Sequence, residues 1–206
     1  MIRNIVLDMG NVLLDFNPEV SLNRYCSSDE ERNSIRKELF QGPEWLMGDR
    51  GDIRDADRFD LVKLRVPERF HGALKACADH WDICMKPIEG AAEFCRDIKE
   101  AGYGIYILSN ASDAFYRYFP AFLPLAFFDG VFVSSDYRMV KPDEEIYRTF
   151  LCKYGLVAEE CLFIDDREDN LIGARKTGMQ TFRFSGDYEA VRKIVEEKGA
   201  IGKISK

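Results

Sequence analysis

Apolar positions along the chain follow two periods. Short continuous runs, "RNIVLDMG" (3–10), "GIYILSNAS" (104–112), "DGVFVSSD" (129–136), "CLFIDD" (161–166) and "QTFRFSG" (180–186), read as strands. Runs of this length that do not alternate with polar residues belong in a parallel sheet covered on both faces. Between them the period becomes helical. Residues 90–101 put Ala91, Phe94, Cys95, Ile98 and Ala101 on one stripe, and Gly102 ends it. Residues 143–154 carry Ile146, Phe150, Leu151 and Tyr154 before Gly155, and residues 169–177 stop at Gly178. A last helix over 187–198 shows Val191, Ile194 and Val195. Strand–helix alternation predicts an α/β fold with a doubly wound parallel sheet. Such sheets bind ligands at the carboxyl ends of their strands, where Asp8, Ser109, Asp165 and Asp166 fall.

Residues 17–87 break this rhythm and contain no convincing strand. Ser28 followed by Glu31 is a capping-box pattern that predicts a helix over 29–40. Helical patterns recur over 54–65 and 67–81, and before them "EWLMGDRGD" (44–52) reads as a loop facing the strand ends where the site is expected. The organisation expected is therefore a core of residues 1–16 and 88–206 with an all-helical insertion, 17–87, standing over the strand ends as a cap.

Composition narrows the function. A chain of 206 residues can bury a full core, and 46% hydrophobic with 32% charged residues is ordinary for a soluble protein. The net charge of −7, scattered along the chain, argues against a nucleic-acid partner. No apolar run reaches membrane-spanning length and no signal-peptide core precedes Asp8, so a cytoplasmic protein without a membrane partner is expected. The six cysteines form no CxxC pair, and His71 and His80 give no zinc spacing with them. They read as buried free thiols.

Four features carry chemistry. A strand-end aspartate such as Asp8 commonly caps a helix or forms a turn. Ser109 and Asn110 suit a helix cap, and Lys141 in "MVKPDEEIY" suits a solvated surface. The adjacent carboxylates Asp165 and Asp166 are harder to place without a cation, because like charges at the end of an apolar strand repel and resist desolvation. Taken together, the four lie at one end of one sheet in the order Asp, Ser, Lys, Asp-Asp.

In these motifs the chain resembles the haloacid dehalogenase-like (HAD) hydrolase superfamily over its whole length. "DMGNV", "LSN", "VKP" and "FIDDREDN" match its four motifs in order, and the helical insert occupies the position of the family's helical cap. Closest in pattern are sugar-phosphate phosphatases that open with Asp-x-Gly-Asn, such as those acting on α-D-glucose 1-phosphate. The resemblance implies a Rossmann-like core and Mg²⁺-dependent hydrolysis of a small-molecule phosphate ester through an aspartyl-phosphate on Asp8. It implies Asp8, Asp166 and the Gly10 carbonyl as Mg²⁺ ligands, with Asp165 acting behind the ion or through water. Ser109 and Asn110 would bind phosphate oxygens, Lys141 would neutralise charge on the phosphate and on Asp8, and Asn170 would orient these groups.

One departure stands out. Most phosphatases of this superfamily carry a general acid where this chain has Gly10. Protonation of the leaving group is thus unassigned, and a substrate with a good leaving group or a substituted acid, Asp15 first, would compensate. In the cap, Trp45 suits either a sugar face or the cap's own core, and Asp49 or Arg50 suits substrate hydroxyls. Two other functions remain open: a 2-haloacid dehalogenase, which needs no metal, and a non-catalytic phosphate-binding protein.

Overall fold

The computed structural model describes residues 1–199. The chain enters through β1 (Asn4–Leu7) and leaves the core through β2 (Leu14–Phe16), which pairs antiparallel with the returning β3 (Met85–Pro87). β4 (Gly104–Ser109), β5 (Gly130–Val133), β6 (Cys161–Asp165) and β7 (Gln180–Arg183) join β1 in a five-stranded sheet of order β5-β4-β1-β6-β7. Every pairing within it is parallel, with Ile5 opposite both Ile105 and Leu162. β1 is central, so the first motif is flanked by the second on β4 and the fourth on β6.

Between β2 and β3 lie only helices: α1 (Glu19–Tyr25), α2 (Asp29–Ile35), α3 (Pro43–Arg50), α4 (Arg58–Val62) and α5 (His71–Asp79), joined by shorter turns. This is the helical cap. The core contributes α6 (Ala91–Glu100), α7 (Phe115–Tyr118), α8 (Glu144–Tyr154), α9 (Glu168–Arg175) and α10 (Tyr188–Lys198). Strand side chains alternate between two apolar layers. Ile5 and Leu7 pack with Phe94 and Ile98 of α6 and Val191 and Val195 of α10. Val6 and Phe163 pack with Ile146 and Phe150 of α8 and Leu171 of α9. The first layer runs on without a break into Leu22, Ile35, Leu74 and Trp81 of the cap.

The expected cap helix over 29–40 forms as α2, continued by a π-helical turn over Arg36–Phe40. Ser28 Oγ accepts from the Glu31 N–H at 3.2 Å, and the Glu31 carboxylate accepts from the Ser27 N–H at 2.7 Å. Two expectations need correction. "EWLMGDRGD" is not a loop: Pro43 opens the first turn of α3 just before it, and Gly51, at φ 75°, terminates the helix. The segment 17–87 does hold a strand, β3, because the two chains crossing between core and cap satisfy each other's backbone groups. The aromatic stretch around α7 forms short helices that no clear periodicity announced. The expected core ran to residue 206, and 200–206 lie outside the described residues. All six cysteines are free, with Cys152 exposed and the rest buried.

Candidate active site

The sheet brings the motif residues to one edge. Asp8 follows β1 directly, and its N–H continues the ladder to the Ile164 carbonyl at 2.9 Å. Asp165 is the last residue of β6, Ser109 the last of β4, and Lys141 arrives on the loop after β5. Lys141 Nζ lies 2.8 Å from Asp8 Oδ1 and 2.8 Å from Asp165 Oδ2, with only 1% of its side chain exposed. It is no surface lysine. Asn110 clamps its backbone: Asn110 Nδ2 donates to the Lys141 carbonyl at 3.0 Å, and the Lys141 N–H donates to Asn110 Oδ1 at 2.8 Å.

The carboxylates differ in what remains free. Asp165 is saturated: besides Lys141 it accepts from Asn170 Nδ2 at 2.9 and 3.0 Å and from the Arg167 N–H at 2.8 Å. Asp8 Oδ1 also accepts from the Met9 N–H at 2.7 Å, while its Oδ2 accepts from no described residue. Asp166 Oδ2 takes one bond, from Asn11 Nδ2 at 3.1 Å. Asn11 holds φ 53°, a left-handed conformation that asparagine tolerates better than most residues. This tie between the first and fourth motifs was not anticipated from the sequence, although "DMGN" held the signal.

These groups fit a hard divalent cation. Ligand oxygens of Asp8, Asp165 and Asp166 all lie within 4.8 Å of one another. The Gly10 carbonyl accepts no hydrogen bond among the described residues, and Asn170 Oδ1 is buried without a partner. Unengaged carboxylate oxygens, a free carbonyl and an orphaned acceptor suited to a coordinated water form an all-oxygen donor set of the kind Mg²⁺ takes. Asp165 belongs to the cluster, but its oxygens already accept from Lys141, Asn170 and the Arg167 N–H.

Burial and charge set the protonation balance. Burial pushes the Asp8 carboxyl above the usual carboxylate range; Lys141 opposes the shift and Asp165 adds to it. Burial acts to lower the Lys141 ammonium, but Asp165 and Asp8 outweigh it and hold lysine above its ordinary value. The lysine therefore remains charged between two acids.

Above this edge a cavity of about 640 Å³ separates core from cap. Asp8, Gly10, Asn110, Lys141, Asp166 and Asn170 line its floor, and Phe16, Phe40, Trp45, Asp49, Arg58 and Trp81 line its cap side. Not every expected residue reaches it. Ser109 is buried beneath the floor, where its hydroxyl lies 3.5 Å from the Asn110 carbonyl. Asp15 is exposed on β2 opposite Lys86 and lines no part of the cavity, so it cannot replace an acid at position 10. Arg50 turns to Asp52 at 2.6 Å and lies outside the cavity. Trp45 does reach the cavity, and its ring is also packed there, with the Arg58 guanidinium 4.1 Å from its centre and Phe16 at 5.1 Å.

A parallel sheet with this strand order, an Asp–Lys–Asp cluster at its carboxyl edge and a helical cap above define a capped α/β hydrolase with a buried acidic centre at the end of its central strand. The family model for haloacid dehalogenase-like hydrolases matches residues 2–178, and the chain belongs to that family. It is 27% identical over 177 residues to sesquiterpene phosphatase astK of Aspergillus oryzae, covering 84% of this chain and 85% of the fungal one. It is 23% identical over 188 residues to pyrophosphatase PpaX of Bacillus cereus, covering 87% and 82% of the two chains. Among solved structures, a HAD family enzyme of Bacteroides thetaiotaomicron, in complex with magnesium and inorganic phosphate, superimposes with a TM-score of 0.70. Its identity is 22%, and the match covers 93% of this chain and 99% of that one.

Proposed function

We propose that the protein is a Mg²⁺-dependent phosphatase that hydrolyses a small phosphomonoester through an aspartyl-phosphate on Asp8. The observation that carries this is the state of the Asp8 carboxylate. One oxygen is held by Lys141 and the Met9 N–H, and the other is free beside the acidic cluster. A fixed carboxylate facing a phosphate meets the in-line requirement of phosphoryl transfer. Asp8 attacks phosphorus, the bond to the leaving oxygen breaks, and water then cleaves the acyl phosphate. Lys141 and the Asn110 backbone offset charge on the transferring group, and Ser109 supports the floor from below. Bound Mg²⁺ would supply Lewis-acid stabilisation of the phosphoryl oxygens, held by Asp8, Asp166 and the Gly10 carbonyl.

The dehalogenase reading would use the free Asp8 oxygen on carbon but gives the open Asp166 carboxylate and the Gly10 carbonyl no task, since displacement at carbon by a carboxylate needs no cation. For the organic group two readings are supported. Gln41 and Arg58, which is ion-paired to Asp55 through Nε but has no hydrogen-bond partner at Nη1, suit the hydroxyls of a sugar phosphate. The wall of Phe16, Phe40, Trp81 and Met85 suits an apolar alcohol, each buried Å² contributing about 25 cal/mol, and the terpenoid phosphatase relative agrees with it. The test is a panel of sugar, prenyl, aryl and short alkyl phosphates with Mg²⁺ and then with chelator. Phosphate release that stops with chelator and returns with Mg²⁺ is expected. Full turnover in metal-free protein, or chloride release from a 2-haloacid, overturns the assignment. Binding of inorganic phosphate with no turnover of any ester marks a non-catalytic protein.

A further inference from the structure

Three carboxylates line the cavity: Asp8, Asp166 and Asp49. The first two are committed to the floor. Asp49 lies near the end of α3, on the cap side, and its carboxylate accepts no hydrogen bond from any described residue. At Gly10 a side chain would meet nothing within 4 Å, so open space remains where relatives carry their acid. We propose that Asp49, delivered from the cap, is the general acid that protonates the leaving group, in place of the residue missing at position 10. The proposal rests on the phosphatase reading and names the group that completes it.

Its backbone is fixed against the core. Ser134 Oγ, from the turn after β5, donates to the Asp49 carbonyl. Two residues on, Gly51 lies against the Ser135 carbonyl so closely that no side chain would fit there. An acid carried by the cap is thereby held at a set place over the floor, as proton transfer requires. Its surroundings suit the task. Burial pushes the Asp49 carboxyl up to about 7, Arg58 opposes the shift, Asp55 adds to it, and Lys141 opposes it again. Buried Tyr118 also lies close by. A carboxylic acid that is largely protonated near neutrality can donate a proton and take it back.

The step balances. As Asp8 attacks, the phosphorus–oxygen bond breaks, and the leaving oxygen takes the proton of the Asp49 carboxyl and departs as an alcohol. The Asp49 carboxylate then removes a proton from the water that attacks the aspartyl-phosphate. Inorganic phosphate leaves with both aspartates restored.

The test compares wild type with Asp49→Asn on dinitrophenyl, nitrophenyl, phenyl and alkyl phosphates, in saturating Mg²⁺. General acid catalysis contributes about 10²–10⁴-fold, so Asp49→Asn should lose that much kcat on the alkyl ester and less than about 10-fold on the dinitrophenyl ester. Retained dinitrophenyl turnover shows in the same assay that the variant is folded. Adding Gly10→Asp to Asp49→Asn should restore much of the alkyl rate. A loss of equal size across the series, no loss, or a change in KM alone overturns the proposal. A wild type that turns over none of the four esters overturns instead the phosphatase reading beneath it.

Discussion

Lys141 shows how much one residue holds. It neutralises two carboxylates that would otherwise face each other in a dry site, Asp165 being fully buried. Removing one partner of a buried pair typically costs about 3–5 kcal/mol, because the remaining charge is stranded. Lys141→Ala is therefore expected to lower the denaturation midpoint strongly as well as to abolish turnover. Urea melts with wild-type stability would show that the two acids are relieved by something else. Asp8→Asn keeps shape and the Met9 contact but removes the carboxylate proposed as nucleophile, and turnover should fall by about 10⁴-fold or more. A surviving rate within tenfold of wild type removes Asp8 from the chemistry. Gly10→Asp is expected to be benign for folding. Gly10 is not among the positive-φ residues and a Cβ there meets open space, so the change should stay within about 0.5 kcal/mol.

At the scale of elements, α3 and α8 both end on a left-handed glycine, Gly51 at φ 75° and Gly155 at φ 63°. The same substitution separates backbone strain from contact. At Gly155 an alanine meets nothing within 4 Å and bears only the conformational penalty, about 1–2 kcal/mol. At Gly51 the methyl would also strike the Ser135 carbonyl oxygen, where cap meets core. Gly51→Ala should lower the melting temperature clearly more than Gly155→Ala does, and should weaken turnover as α3 is pushed off the floor. Equal shifts in the two variants would mean that α3 moves away without cost.

For the whole molecule, charge is divided unequally. The carboxyls held below their ordinary values, Glu19, Glu38, Glu44 and Asp57, all belong to the cap. Hydrogen bonds from Arg65 are the main cause at Glu44 and Glu38, with Arg65 Nη2 2.6 Å from Glu44 Oε2 and Nε 2.7 Å from Glu38 Oε2. A depressed folded pKa means that the unfolded chain binds more protons. The stabilisation is complete above the ordinary glutamate range and is lost as pH falls through the lowered folded values. These pairs are partly open to water, which reduces their worth. Acidification from pH 6 to below 4 is thus expected to lower the amide protection factors in α2–α4 before it affects those of β1 and β4. Arg65→Ala should remove the share of that pH dependence due to Glu38 and Glu44. Loss of protection in core and cap together would mean that they unfold as one unit, as their continuous apolar layer permits.

Local pattern determined much of this molecule. Apolar runs and helical stripes place the parallel strands and α6, α8, α9 and α10, because burying one face of each element is a constraint that every few residues record. The order Asp8, Ser109, Lys141, Asp165-Asp166 marked the edge where chemistry sits, since charges at buried strand ends need a reason. Contacts between distant segments leave no such periodic trace. Only the folded chain could exclude Asp15, whose strand turns it to solvent, and separate Asp49, which lines the cavity, from Arg50, which turns away to Asp52. Only it could give β2 a partner 71 positions on, with Leu14 opposite Pro87 and Phe16 opposite Met85. The distinction between Asp165, saturated by Lys141 and Asn170, and Asp166, left open beside Asp8, is also tertiary. The two side chains are neighbours in sequence, but Asp165 closes β6 and is fully buried while Asp166 lies past the strand end and is half-buried, and packing alone decides which one receives the buried donors.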